Sequence, residues 1–138
     1  MTSAQQEGVY RAQARCTSGR ALDVADVQAY VDRLTSSDWW DERYRQVVRV
    51  EVTTIAEDNE FNALGRADHD HGGGVIGLKA SKPVSERTVL HEVAHTITPG
   101  GHGPSWVRTF LELTYFVRGS DAYTELRTAF VAEGVDVG

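Results

Sequence analysis

One cysteine, Cys16, in 138 residues cannot close an internal disulfide and supplies no Cys-rich metal ribbon. The fold must therefore hold through its core, and a single domain over residues 1–138 is long enough to bury one. An inert thiol in a reducing cytoplasm is the expected setting, since the N-terminal residues show no apolar signal core. No apolar run approaches the roughly 20 residues that a membrane helix requires, so no membrane partner is expected. Basic charge is scarce as well: 14 Lys and Arg face 20 Asp and Glu, a formal net charge of −6. A dedicated nucleic-acid binder usually carries a basic stripe, so the chain gives no strong nucleic-acid signal. Arg43, Arg45 and Arg49 then read as a solvated face. No internal repeat or low-complexity linker is present.

What the chain does have is His91-Glu92-Val93-Ala94-His95. A helix advances about 100° per residue, so histidines four apart stand one above the other on one face. Two such imidazoles can share one Zn²⁺. Glu92 lies on the same turn, where it can take a proton from an attacking water. A bare HExxH arises by chance often enough that its surroundings must decide. Leu90, Val93, Ala94 and Ile97 recur at i, i+3, i+4 and i+7, one apolar stripe of a helix, with the histidines beside it. Ser85, after Pro83, is the expected N-cap. Pro99-Gly100-Gly101 stops the helix and lets the chain turn back to His102, a third candidate ligand. Gly103-Pro104 opens the next helix.

HEVAH followed by HGPSW resembles the SprT and Spartan group of zincin metalloproteases, whose third zinc histidine also lies in an HGPxF-type segment. The resemblance is closer to a small family of HExxH metallohydrolases of actinobacteria and their phages. It extends from the Asp-Val-Gln-Ala-Tyr-Val-Asp helix near Val27 to the last helix. It implies His91, His95 and His102 as zinc ligands and Glu92 as catalytic base. The six residues between His95 and His102 are fewer than in Spartan-type spacers and one more than in the metzincin pattern. A metzincin also needs a methionine turn downstream, and the only methionine is Met1, which excludes that class. A glutamate third ligand, Glu112 or Glu125, stays open, though neither stands in a matching motif. The absence of a zinc ribbon or basic tail weakens any carry-over of the Spartan role in DNA–protein crosslink repair.

Along the chain, residues 4–15 are compatible with a helix that docks through Val9, Tyr10 and Ala14. Val24, Val27, Val31 and Leu34 predict a helix capped by Asp23 and broken at Ser36-Ser37-Asp38. Trp39 and Trp40 read as core or interface anchors. Strands are expected over Val47 to Thr53, Phe61 to Ala67 and Val75 to Ala80, with a turn at Asp58-Asn59-Glu60. Resemblance to zincins suggests that the last of these is the sheet edge that pairs with an extended substrate, as an unpaired strand edge physically can. Trp106, Phe110, Leu113 and Val117 form one stripe of a helix from Pro104. Gly119-Ser120 separates it from a last helix facing inward through Ala122, Leu126, Ala129 and Phe130 and ended by Gly134. The sum is an α+β fold, a minimal zincin-like domain with a three-stranded sheet packed against the HExxH helix and further helices.

Asp68-His69-Asp70-His71-Gly72-Gly73-Gly74 offers two carboxylates and two imidazoles for a second metal. Three glycines and no helical scaffold favour a polar loop joining two strands, or a flap beside the cleft. Three functions follow from the motif. The favoured one is a zinc metallopeptidase acting on protein or peptide with a water activated by Glu92. A zinc hydrolase of another amide or ester is the second, because HExxH does not identify the acyl group. The third is a non-catalytic binding or regulatory module stabilised by zinc. A tyrosine, histidine or arginine commonly helps to hold the oxyanion in such chemistry; Tyr115 and Tyr123 are candidates by type alone.

Overall fold

Apolar spacing becomes helix packing along much of the chain, and the computed structural model describes residues 3–68 and 72–138. Among them are six helices: α1 (Ala4–Arg15), α2 (Val24–Thr35), α3 (Asp38–Tyr44), α4 (Glu86–Ile97), α5 (Pro104–Arg118) and α6 (Ser120–Ala132). The strands are β1 (Ala21–Leu22), β2 (Arg49–Ile55), β3 (Ala63–Asp68), β4 (Gly73–Lys79) and β5 (Val84–Ser85). The architecture is α+β, as expected. Two elements go beyond the sequence reading: the seven-residue α3 and the two-residue β1–β5 ladder. Ser37 caps α3 by accepting from the Trp40 N–H. Trp40 is buried and donates through Nε1 to the Val47 carbonyl at 2.8 Å, so it is a core anchor. Trp39 lies partly buried against the core, stacked on Phe116 with ring centres 4.2 Å apart.

The main sheet has the order β2-β4-β3, with β2 parallel and β3 antiparallel to β4. This corrects the expectation for Val75 to Ala80: that segment is the central strand, and β3 is the edge beside α4. The reason is visible in the pattern, since Ile76, Gly77, Leu78 and Lys79 are all buried, as in a strand covered on both faces. Lys79 is tolerated there because its Nζ donates to the Asn59 carbonyl and to Asn62 Oδ1, which also pins the turn before β3. Gly73 and Gly74 belong to β4 rather than to a loop, and Asp68 ends β3. The expected second-metal residues His69, Asp70 and His71 lie outside the described residues.

Helix α4 packs on β3 and β4, α2 packs on β2, and α5 lies between α4 and α6. Val50, Ile76, Leu90, Val93, Trp106, Phe110 and Phe130 are fully or nearly fully buried in one core. Helix α1 closes this core against α6. Helix α4 is thus central, contacted by the sheet on one side and by α5 on another. Among the described residues no helix is long and apolar enough to cross a membrane.

Candidate metal centre

Helix α4 is fixed at both ends. Ser85 Oγ accepts from the Thr88 N–H at 3.1 Å, which makes it the expected N-cap. The first N–H groups of α4 donate to carbonyls of the segment between α1 and β1, Glu86 to Arg20 and Arg87 to Ser18, both at 3.0 Å. At the far end Gly100 and Gly101 take φ of 101° and 104°, left-handed backbone suited to glycine. Their turn brings His102 back over α4, while Thr98 Oγ1 and Thr109 Oγ1, 3.0 Å apart, tie the helix end to α5.

The three predicted ligands meet. His102 Nε2 lies 3.2 Å from His95 Nε2 and 3.2 Å from His91 Nε2. Among the described residues this is the one group able to hold a metal ion, its donor atoms all within 4.8 Å of one another. Nitrogens about 2.0–2.1 Å from a tetrahedral ion stand roughly 3.3 Å apart, so the spacing fits a zinc shell. Proton counting points the same way. His91 Nδ1 lies 3.0 Å from Gln13 Oε1, an acceptor only, so Nδ1 carries the hydrogen and Nε2 presents a bare lone pair. One proton on His102 Nε2 can satisfy only one of its two close neighbours. A shared cation satisfies all three.

Surroundings favour neutral rings. Burial holds His91 well below the ordinary histidine value, with the His95 and His102 rings adding to the effect. Burial, then His102, lowers His95 to about 4, and burial lowers His102. Neutral imidazole is the form that ligates. The Trp106 indole packs against all three rings, 4.6, 5.0 and 4.5 Å from His91, His95 and His102. Its buried N–H finds no acceptor among the described residues. Glu92 is buried beside His91, and burial pushes its carboxyl up to about 7.

Two clefts flank the triad along β3. One, of about 640 Å³, is bordered by His91, Glu92, Tyr10, Phe61 and Ala63; the other, of about 300 Å³, by Gly65, Arg66, His95 and Gly100. Other expected candidates lie elsewhere. Glu112 accepts from the Tyr44 hydroxyl and Glu125 from Thr17, so neither joins the histidines. Tyr115 and Tyr123 pack edge-on against each other beside Trp39 and Arg43. The residues that the sequence reading did not assign to the site are Gln13, Tyr10 and Trp106. Gln13 precedes His91 by 78 positions, and no local motif links them. The Trp in HGPSW was the one available signal. Comparison of the chain with protein-family models, with curated proteins and with solved structures finds no match.

Proposed function

We propose that the protein is a zinc-dependent hydrolase, a metallopeptidase acting on protein or peptide substrates, built on a minimal zincin-like domain. The observation that carries this reading is the convergence of three imidazole nitrogens, from His91 and His95 on α4 and His102 after it, next to the buried Glu92 carboxyl of α4. His91, His95 and His102 would hold the ion through Nε2, leaving a fourth position open. Bound zinc supplies Lewis acidity and lowers the pKa of a water to about 7. Gln13 fixes the His91 tautomer and ring orientation. Glu92 takes the proton of the attacking water and passes it to the leaving nitrogen. A bound cation would hold that carboxylate lower than burial alone does.

A peptide is favoured over a smaller ester or amide because, among the described residues, β3 is an edge strand of the sheet, with a cleft on either side of the histidines. An extended backbone can add to that edge while its side chains enter the clefts. The test is metal content by mass spectrometry on tag-free wild type, His102→Ala and Glu92→Gln, followed by a peptide-library screen. The expected result is about one zinc per chain in wild type, most of it lost in His102→Ala. Glu92→Gln should keep the metal and lose turnover by roughly 10²–10⁴-fold. Wild type that takes up no zinc, or Glu92→Gln that cleaves like wild type, would overturn the reading.

A further inference from the structure

We infer that Tyr10, on α1, is the hydrogen-bond donor that holds the substrate oxyanion opposite Glu92; this rests on the hydrolase reading above. Its ring centre lies 5.3 Å from that of His102 and 6.1 Å from that of His91. Tyr10 is 48% exposed and borders the cleft instead of filling the core. The same cleft is bordered by His91 and Glu92, which puts phenol, metal ligand and base around one space.

Several polar side chains on this wall already serve the fold. Gln13 joins His91 to the Val9 carbonyl, and Asn62 accepts from Lys79. Arg87 donates to the carbonyls of Gln13 and Cys16 at the end of α1, and Thr88 pairs with Ser85. Glu60 brings a carboxylate, which accepts and does not donate. Gln6 lies one turn of α1 before Tyr10 on the same wall. Among the described residues, Tyr10 is the hydroxyl-bearing side chain whose ring packs against two of the histidines, His91 and His102.

Its chemistry fits the step. As the water oxygen bonds to the carbonyl carbon, the C=O π pair moves onto oxygen. The Tyr10 O–H donates to that oxygen and keeps its proton. When the pair returns, the C–N bond breaks and the amine leaves with the proton held by Glu92. A donor that strengthens only as charge develops acts on turnover more than on substrate binding.

The decisive comparison is Tyr10→Phe against wild type, both zinc-loaded. It has three readouts: peptide turnover, affinity for a phosphinic pseudodipeptide that mimics the tetrahedral oxygens, and affinity for acetohydroxamate, which needs only the metal. Tyr10→Phe should lower kcat by roughly 10²-fold with KM little changed. It should weaken the phosphinic ligand by a similar factor and leave acetohydroxamate binding, zinc content and Tm as in wild type. Unchanged phosphinic affinity, or an equal loss for both ligands, would overturn the role of Tyr10 while leaving the zinc site standing. Wild type that binds neither zinc nor acetohydroxamate would instead overturn the hydrolase reading, and Tyr10 with it.

Discussion

A β-carbon on Gly65 would stand 2.3 Å from the backbone carbonyl oxygen of Glu92. Edge strand β3 thus lies directly on the turn of α4 that carries the proposed base. Gly74 repeats the arrangement on β4, where a β-carbon would meet Thr96 Cβ at 2.3 Å. Two glycines let the helix seat closely on the sheet, and this brings edge strand β3 beside the helix that carries His91 and His95.

Gly65→Ala follows as a test of that contact. The clash is with backbone, so no side-chain tip can swing away. The variant should lose about 1–3 kcal/mol, as overpacked interiors do. Its Tm should fall by about 4 °C per kcal/mol for a chain of this length, read by circular dichroism. A melt superimposable on wild type would mean that β3 does not rest on α4 as described.

Gln13 makes a second case, because no local motif links it to the histidine it supports. Its Oε1 fixes the hydrogen on His91 Nδ1. In Gln13→Ala the ring is free to flip or change tautomer, and zinc affinity should drop roughly 10–100-fold. Competition with a chromophoric chelator measures this. Equal affinity in the variant would show that Trp106 packing alone orients His91.

Alkaline pH should reveal two buried phenols. Tyr30 donates to Glu86 Oε2 and Tyr44 to Glu112 Oε2. Burial first, then these carboxylates, raises both phenols far above the ordinary tyrosine value. The folded state therefore prefers the protonated phenol. Stability from this source is complete below the unfolded pKa of about 10 and is lost as pH rises beyond it. Two of the five tyrosines should thus ionise only as the protein unfolds, seen as a lag in phenolate absorbance. Tyr44→Phe should reduce the lagging number to one; a smooth five-phenol titration with the fold intact would contradict the packing.

The convergence of the three histidines was legible because HExxH sets a fixed spacing on one helix, and the Gly-Gly break before His102 announces the return. Helices α2, α4, α5 and α6 were legible from their apolar stripes. Helix α3 was not, since seven residues centred on two adjacent tryptophans carry no period. Strand order was misread at Val75 to Ala80 because an edge was assigned by resemblance, although near-continuous burial marks a central strand. Tyr10 and Gln13 could not be placed from local pattern. They reach the site only because α1 packs back across it, a pairing that no short-range signal encodes.

The last prediction concerns the turn that delivers His102. Gly100 and Gly101 both hold positive φ, and nothing lies within 4 Å of a β-carbon built on either. Any cost of adding a methyl there is thus conformational rather than steric against neighbours. Left-handed backbone costs a non-glycine residue roughly 1–2 kcal/mol. In a Gly100→Ala/Gly101→Ala double variant the loop can avoid that cost by relaxing, because Pro99 and the two glycines are exposed. Relaxation moves His102 away from His91 and His95. Zinc affinity should therefore fall, while the metal-free protein keeps a Tm near that of wild type. Melting with and without a chelator separates the two effects. A variant with lowered metal-free Tm but intact zinc affinity would mean that the turn braces α4 against α5 and has no part in placing the third ligand.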